Sequence, residues 1–174
     1  VVAAYSDAFA ERTGIADPTQ MHSIDTVIDA FMELVEPHNW ISVNAFLPFT
    51  GERRGPMEVI RHTLARHLEV PVSLEIGPRY LHSTGQLQKG GANNGVFLIL
   101  SGNEVGDMEV PGESYRLGEL EVAQSKGDLE ALSAKGRHAL RLHLIDTDAD
   151  TLWRLAHAFE DAGTRTAVKR AMGK

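Results

Sequence analysis

Cysteine is absent from the 174-residue chain. That removes disulfides, thiolate nucleophiles and cysteine-ligated zinc in one step, and it fits a reducing compartment. Long hydrophobic runs are absent too: none approaches the roughly 18 apolar residues of a membrane span. The first residues carry no basic-then-apolar leader pattern, so the sequence reads as cytoplasmic, with no membrane partner. Positive charge is scarce. Seventeen Lys and Arg stand against 24 Asp and Glu, for a net charge of -7. With the basic residues scattered, nothing offers a surface for a phosphate backbone, and nucleic acid is excluded as an expected partner. No HExxH pattern or carboxylate cluster occurs, and His62 and His67, five apart in helix-like sequence, fall on different faces. No metal is expected.

What remains is an ordinary globular composition, 43% apolar, in a length that suits one domain with a real core. Ser23 caps a helix whose apolar stripe runs through Ile24, Val27, Ile28, Phe31, Leu34 and Val35, until Pro37 stops it. Trp40 to Leu47 reads as a strand, followed by the polar loop TGERRG. Gly55 and Pro56 open a second helix with Met57, Ile60, Leu64 and Leu68 on its buried face. Val72 to Gly77 is the next strand, which completes a βαβ unit with parallel strands and a right-handed crossover. Gly95 to Gly102 is a nearly continuous apolar run, as expected of a strand covered on both faces. Asn103 to Arg116 reads as an acidic excursion. Leu117 to Ser125 is helical, and Lys126-Gly127-Asp128 reads as one helix ending and another being capped. Arg137 to Ile145 gives a fourth strand, and Asp148 or Asp150 caps a last helix carrying Leu152, Leu155, Ala156 and Phe159. The expected fold is α/β, a three-layer α/β/α sandwich with a mostly parallel sheet of about four strands. Residues 1–22 are expected as an N-terminal helical segment, 23–162 as the core and 163–174 as a short helical tail.

Between two of these strands lies YLHSTGQLQKGGANNG. Open α/β sheets bind ligands outside the carboxyl ends of their strands, and this stretch leaves the carboxyl end of the Val72 strand. Gly85, Gly90 and Gly91 allow close backbone approach. Ser83, Thr84, Gln86 and Lys89 offer hydrogen bonds to a polyhydroxylated or anionic molecule, with Arg79 just upstream as a further cation. His82 can move a proton near neutral pH. Each residue also has a plainer reading: His82 bonded within its own turn, Lys89 solvated, Ser83, Thr84 and Gln86 capping a turn, Arg79 paired with a carboxylate, and Asn93-Asn94 supplying turn geometry.

The run GPRYLHSTGQLQKGGANNGVFLIL, followed by VPGESYRLGELEVAQSKGDLEAL and KGRHALRLHL, resembles the C-terminal part of the phosphoglucose isomerase domain of bifunctional transaldolase/phosphoglucose isomerase proteins. The resemblance implies a sugar isomerase (SIS-type) fold and interconversion of glucose 6-phosphate and fructose 6-phosphate without metal or cofactor. His82-Ser83 ahead of Gln86-Leu87-Gln88-Lys89-Gly90 resembles the segment whose histidine opens the sugar ring. It implies His82 as the catalytic residue and Arg79, Ser83, Thr84, Gly85, Gln86 and Lys89 as substrate contacts. It further implies a homodimer and an upstream part of the same polypeptide, because the family's Glu-Ser-(Thr/Asn)-Gly-Lys motif, which carries the C1/C2 base, occurs nowhere in this chain. The start without methionine is read in the same way, as a C-terminal piece. Gln88 stands where fused relatives carry histidine. The alternative is a non-catalytic SIS-type domain that binds a sugar phosphate or supports assembly.

Overall fold

The computed structural model describes residues 1–15, 23–49, 51–103 and 107–173. Residues 16–22 of the expected N-terminal segment, Thr50, residues 104–106 of the acidic excursion and Lys174 lie outside the described residues. The chain runs β1 (Val2–Tyr5), α1 (Asp7–Thr13), α2 (Ile24–Leu34), β2 (Trp40–Phe46), α3 (Arg54–Leu68), β3 (Val72–Ile76), α4 (Thr84–Gly90), β4 (Gly95–Gly102), α5 (Leu117–Ser133), β5 (His138–Leu144) and α6 (Ala149–Met172). Short 3₁₀ turns at Gly51–Arg53 and Arg79–His82 precede α3 and α4.

The strands form one sheet in the order β1-β5-β4-β2-β3. β3, β2, β4 and β5 are mutually parallel, with Ile41 opposite Val72, Val43 opposite Leu98 and Leu98 opposite Leu140. From β2 the chain crosses to β3 on one side, and from β4 it crosses to β5 on the other. The order therefore reverses between β2 and β4, with helices on both faces as in a Rossmann-like fold.

Strand alternation divides the interior. Ile41, Val43, Leu98, Leu100, Leu140 and Leu142 pack with Phe31 of α2, Ile60 and Leu64 of α3, and Leu155 and Phe159 of α6 in the main apolar core. The opposite face is mixed. Phe46, Phe97, Ile99 and Ala139 pack with Tyr80 and Leu132, while Ser42, Asn44, Ser101 and Arg141 are buried beside them. Polar groups in such a place must find partners within the protein.

Three expectations need correction. The sheet has five strands, not four, because Val2–Tyr5 is a strand rather than the start of a helical segment. It lies antiparallel on the free edge of β5, Val2 opposite His143. Edge pairing overrode the local propensity: Ser6 then donates to the Arg137 carbonyl at 2.7 Å, accepts from the Ala139 N–H at 3.0 Å and caps α1. Second, α5 runs unbroken through Lys126-Gly127-Asp128. A mid-helix glycine costs only about 1 kcal/mol, and Leu129 and Leu132 hold the second half of α5 to the mixed face. Third, no separate tail follows residue 162, since α6 continues to Met172. Arg165 grips Asp29 with both ends of its guanidinium at 2.9–3.1 Å, Lys169 pairs with Glu33, and Arg170 donates to the Val35 carbonyl, all on or beside α2. The stretch that follows β3 is largely helical, a 3₁₀ turn followed by α4. Ser23 caps α2 as expected, accepting from the Thr26 N–H, and of the two candidates for α6 it is Asp148 that caps, accepting from the Thr151 N–H.

β4 ends at Gly102, where a Cβ would stand 2.9 Å from the Leu144 carbonyl oxygen and closer still to Thr147. Gly102→Ala is expected to lower stability by about 1–3 kcal/mol through overpacking. It would be read as a lower urea midpoint with unchanged slope. None of the described helices is long and apolar enough to cross a membrane.

Candidate functional site

The segment that carries His82 leaves the carboxyl end of β3 and is built on an aromatic floor. Gly77 packs against the Phe46 ring so closely that a Cβ would meet it at 2.7 Å. The Tyr80 ring meets Phe46 edge-on, with centroids 5.8 Å apart. Tyr80 is 3% exposed, while its neighbour Leu81 packs against the same cluster. The inner side of the 3₁₀ turn is thereby fixed. A 3₁₀ helix has three residues per turn, so residues i and i+3 eclipse; Arg79 and His82 therefore share one face. Both are exposed, and neither side chain has a hydrogen-bond or ion-pair partner among the described residues. The plain alternatives, a histidine bonded within its turn and an arginine paired with a carboxylate, are not what the structure places here.

Ser83, Thr84 and Gln86 follow, all exposed, and Gly85 is buried. The Ser83 hydroxyl donates to the Tyr80 carbonyl at 3.3 Å, a turn-capping role. Gly85 lies against that same carbonyl, where a Cβ would come within 3.2 Å, which accounts for glycine at this position. Thr84 lines a mostly apolar cleft of about 300 Å³ with Trp40, Val72, Glu75 and Leu87. His82 is outside that lining.

Lys89 is not brought to the His82 face. Its ammonium lies 2.6 Å from Asp128 Oδ1 on α5, and its carbonyl accepts from Arg137. Asn93 and Asn94 also serve the fold: Arg137 donates to the Asn93 side chain, and the Trp40 indole donates to that of Asn94. Gln88, 1% exposed, accepts from Asn44 Nδ2 at 2.9 Å and donates to Ser42 Oγ at 3.0 Å and Asn44 Oδ1 at 3.2 Å. An amide satisfies donors and acceptors on both sides there.

Two features lay beyond the sequence reading. Tyr80 donates to Asp128 Oδ2 at 2.5 Å. Burial first, then the Asp128 carboxylate, raises the phenol well above its ordinary value, so it stays protonated and a donor at physiological pH. Aromatic residues and aspartates are common, and only the fold joins positions 48 apart.

The second feature is a separate cleft of about 440 Å³ at the carboxyl end of β4, lined by Gly102, Asn103, Asp107, Arg116, Glu119 and Lys126. Asp107 accepts from the Gly118 N–H at 2.8 Å, so the chain's own carboxylate occupies the first turn of α5. Behind it, His143 bonds Ser101, Arg141 and Asn103, each at 3.2 Å. Burial, and then the Arg141 and Lys126 charges, hold the imidazole below its ordinary pKa. The unfolded chain therefore takes up this proton at higher pH than the folded chain. Stability is expected to fall as pH drops from about 6.5 through the lower folded value. Melting curves across that window check the sign, and His143→Gln is expected to flatten the slope.

Among the described residues no group of three or more His, Cys, Asp or Glu is placed to hold a metal ion. No family model matches the sequence, and no curated protein matches it. Among solved structures the chain is similar to the crystal structure of a hypothetical protein, TT0462, from Thermus thermophilus. The TM-score is 0.66, with 14% identity over 90% of this chain and 43% of that one. The chain thus spans less than half the length of that protein, and at this identity the likeness shows the fold alone.

Proposed function

We propose that this chain is the C-terminal, SIS-like part of a phosphoglucose isomerase from a transaldolase/isomerase fusion, with His82 as its ring-opening residue. The observation that carries the reading is the exposed, unpartnered imidazole of His82, on one face with unpartnered Arg79 at the carboxyl rim of a parallel sheet. Imidazole can hold or release a proton near neutral pH. On a cyclic glucose 6-phosphate, His82 gives a proton to the ring oxygen as the C1–O5 bond breaks and the anomeric hydroxyl passes its proton to water, leaving an open-chain aldehyde. Arg79 suits an anionic oxygen of phosphate or substrate, and Ser83, Thr84 and Gln86 the sugar hydroxyls. Lys89 acts behind the site. Transfer of the proton between C2 and C1 then needs a base supplied from outside these 174 residues, by an upstream part of the polypeptide. No metal or organic cofactor enters the proposed steps, and the proposed setting is the cytoplasm.

A coupled assay of fructose 6-phosphate conversion by the 174-residue chain alone tests the division of labour. No measurable turnover is expected, and robust turnover would contradict a half-site. The second reading, a domain that binds sugar phosphate without catalysis, is favoured by the Gln88 position, where a buried amide network stands in place of the relatives' histidine. It predicts sugar-phosphate affinity that His82→Ala leaves unchanged, with no isomerase activity once the upstream part is restored.

A further inference from the structure

We propose that Asp128 is a positioning residue, whose one carboxylate ties both ends of the His82-bearing segment to α5. On the near side Tyr80, two residues before His82, donates to Oδ2 at 2.5 Å. On the far side Lys89, seven residues after it, places its ammonium 2.6 Å from Oδ1. The exposed polar residues from His82 to Gln86 lie between these anchors, and Arg79 stands immediately before the first. Arg137 secures the far end again, donating to the carbonyls of Lys89 at 3.3 Å and Gly91 at 2.5 Å.

The arrangement is poorly explained by stability alone. Asp128 is 3% exposed and sits mid-helix beside an aromatic cluster, a place where apolar residues generally serve stability as well as an ion pair does. What a hydrogen-bonded charge supplies and a leucine does not is direction. Oδ2 fixes the Tyr80 ring, and with it the rotation of the 3₁₀ turn that turns His82 outward; Oδ1 holds the Lys89 ammonium near the end of α4 by charge. The burial that keeps the Tyr80 phenol protonated keeps this bond intact across the physiological pH range.

The catalytic meaning of this clamp rests on the sugar-phosphate reading above, but its mechanical part can be measured separately. Amide hydrogen exchange would be compared in the chain and in Asp128→Asn, Tyr80→Phe and Lys89→Met. Exchange over residues 81–87 is expected to speed up by about tenfold or more, with β4 and β5 unchanged. Lys89→Arg is expected to restore the original rates. The paired substitution of Tyr80 and Lys89 is expected to fall short of the sum of the single effects, because both act through one carboxylate. A uniform acceleration that tracks lost stability, or unchanged rates in residues 81–87, would overturn the proposal. If Asp128→Asn does not fold, the Tyr80 and Lys89 variants carry the same comparison. The chemical arm follows the His82 ring resonance with fructose 6-phosphate. Sugar-phosphate affinity that weakens in Lys89→Met by more than its lost stability explains, and recovers in Lys89→Arg, supports positioning; affinity that only follows the melting temperature would overturn it. A His82 resonance that ignores fructose 6-phosphate in the chain and in the polypeptide carrying the upstream part, while the variants still show local exchange, removes the isomerase reading and leaves the clamp.

Discussion

His82→Ala is expected to cut isomerisation of cyclic glucose 6-phosphate by about 10²–10⁴-fold in the polypeptide that carries the complete site, the usual contribution of a positioned acid–base group. Stability is expected to stay within about 0.5 kcal/mol of the parent, because an exposed side chain with no partner leaves neither a cavity nor an orphaned polar group behind. That separation is the informative part. A histidine that merely completed its own turn would lose stability and activity together. Here the two measurements are expected to diverge, which steady-state rates beside a melting curve on the same preparation would reveal. With open-chain substrate the loss is expected to shrink, since the step assigned to the imidazole has already occurred. An unchanged rate on cyclic sugar would discard the assignment.

Phe46→Ala is expected to act mainly on stability instead, costing about 3–5 kcal/mol by removing a buried ring and leaving a cavity. Phe46 is 2% exposed at the end of β2, and it carries two elements of the candidate site at once: Gly77 packs closely against its ring and Tyr80 meets it edge-on. An aromatic pair of that kind adds about 0.5–1.5 kcal/mol beyond burial. The variant is therefore expected to loosen the His82 turn as well as the core, read as a lower urea midpoint with faster amide exchange at residues 79–83. Phe46→Leu, which refills part of the volume, is expected to recover most of the stability but not the edge-on contact. An equal response in the core and in the turn would show that the aromatic floor has no special hold on the turn.

Helical and strand periods were legible where one physical effect dominated. The α2 stripe, its Ser23 cap, the apolar β4 run and the β2–α3–β3 crossover all stand near where the residue pattern puts them, because burial and capping act locally there. The errors fall where a distant partner decided. Val2–Tyr5 became a strand because β5 had a free edge, and Gly127-Asp128 failed to break α5 because Asp128 is claimed by Tyr80 and Lys89 rather than by a helix terminus. The site divides along the same line. His82, Arg79 and the exposed polar residues behind His82 could be picked out by residue type and by their place after a strand. The inward turn of Lys89, and the use of Gln88 as a structural amide, depend on contacts to positions 39 to 46 residues away, which no local pattern records.

The most direct test follows the His82 ring by NMR in a histidine-labelled chain, titrated with fructose 6-phosphate and, in parallel, with fructose and inorganic phosphate. The account predicts a saturable shift of the His82 resonance with the phosphorylated sugar, weaker responses to either half of it alone, and loss of the neighbouring amide shifts in His82→Ala. A His82 resonance that ignores fructose 6-phosphate at millimolar concentration, both in the chain and in the polypeptide carrying the upstream part, would contradict it.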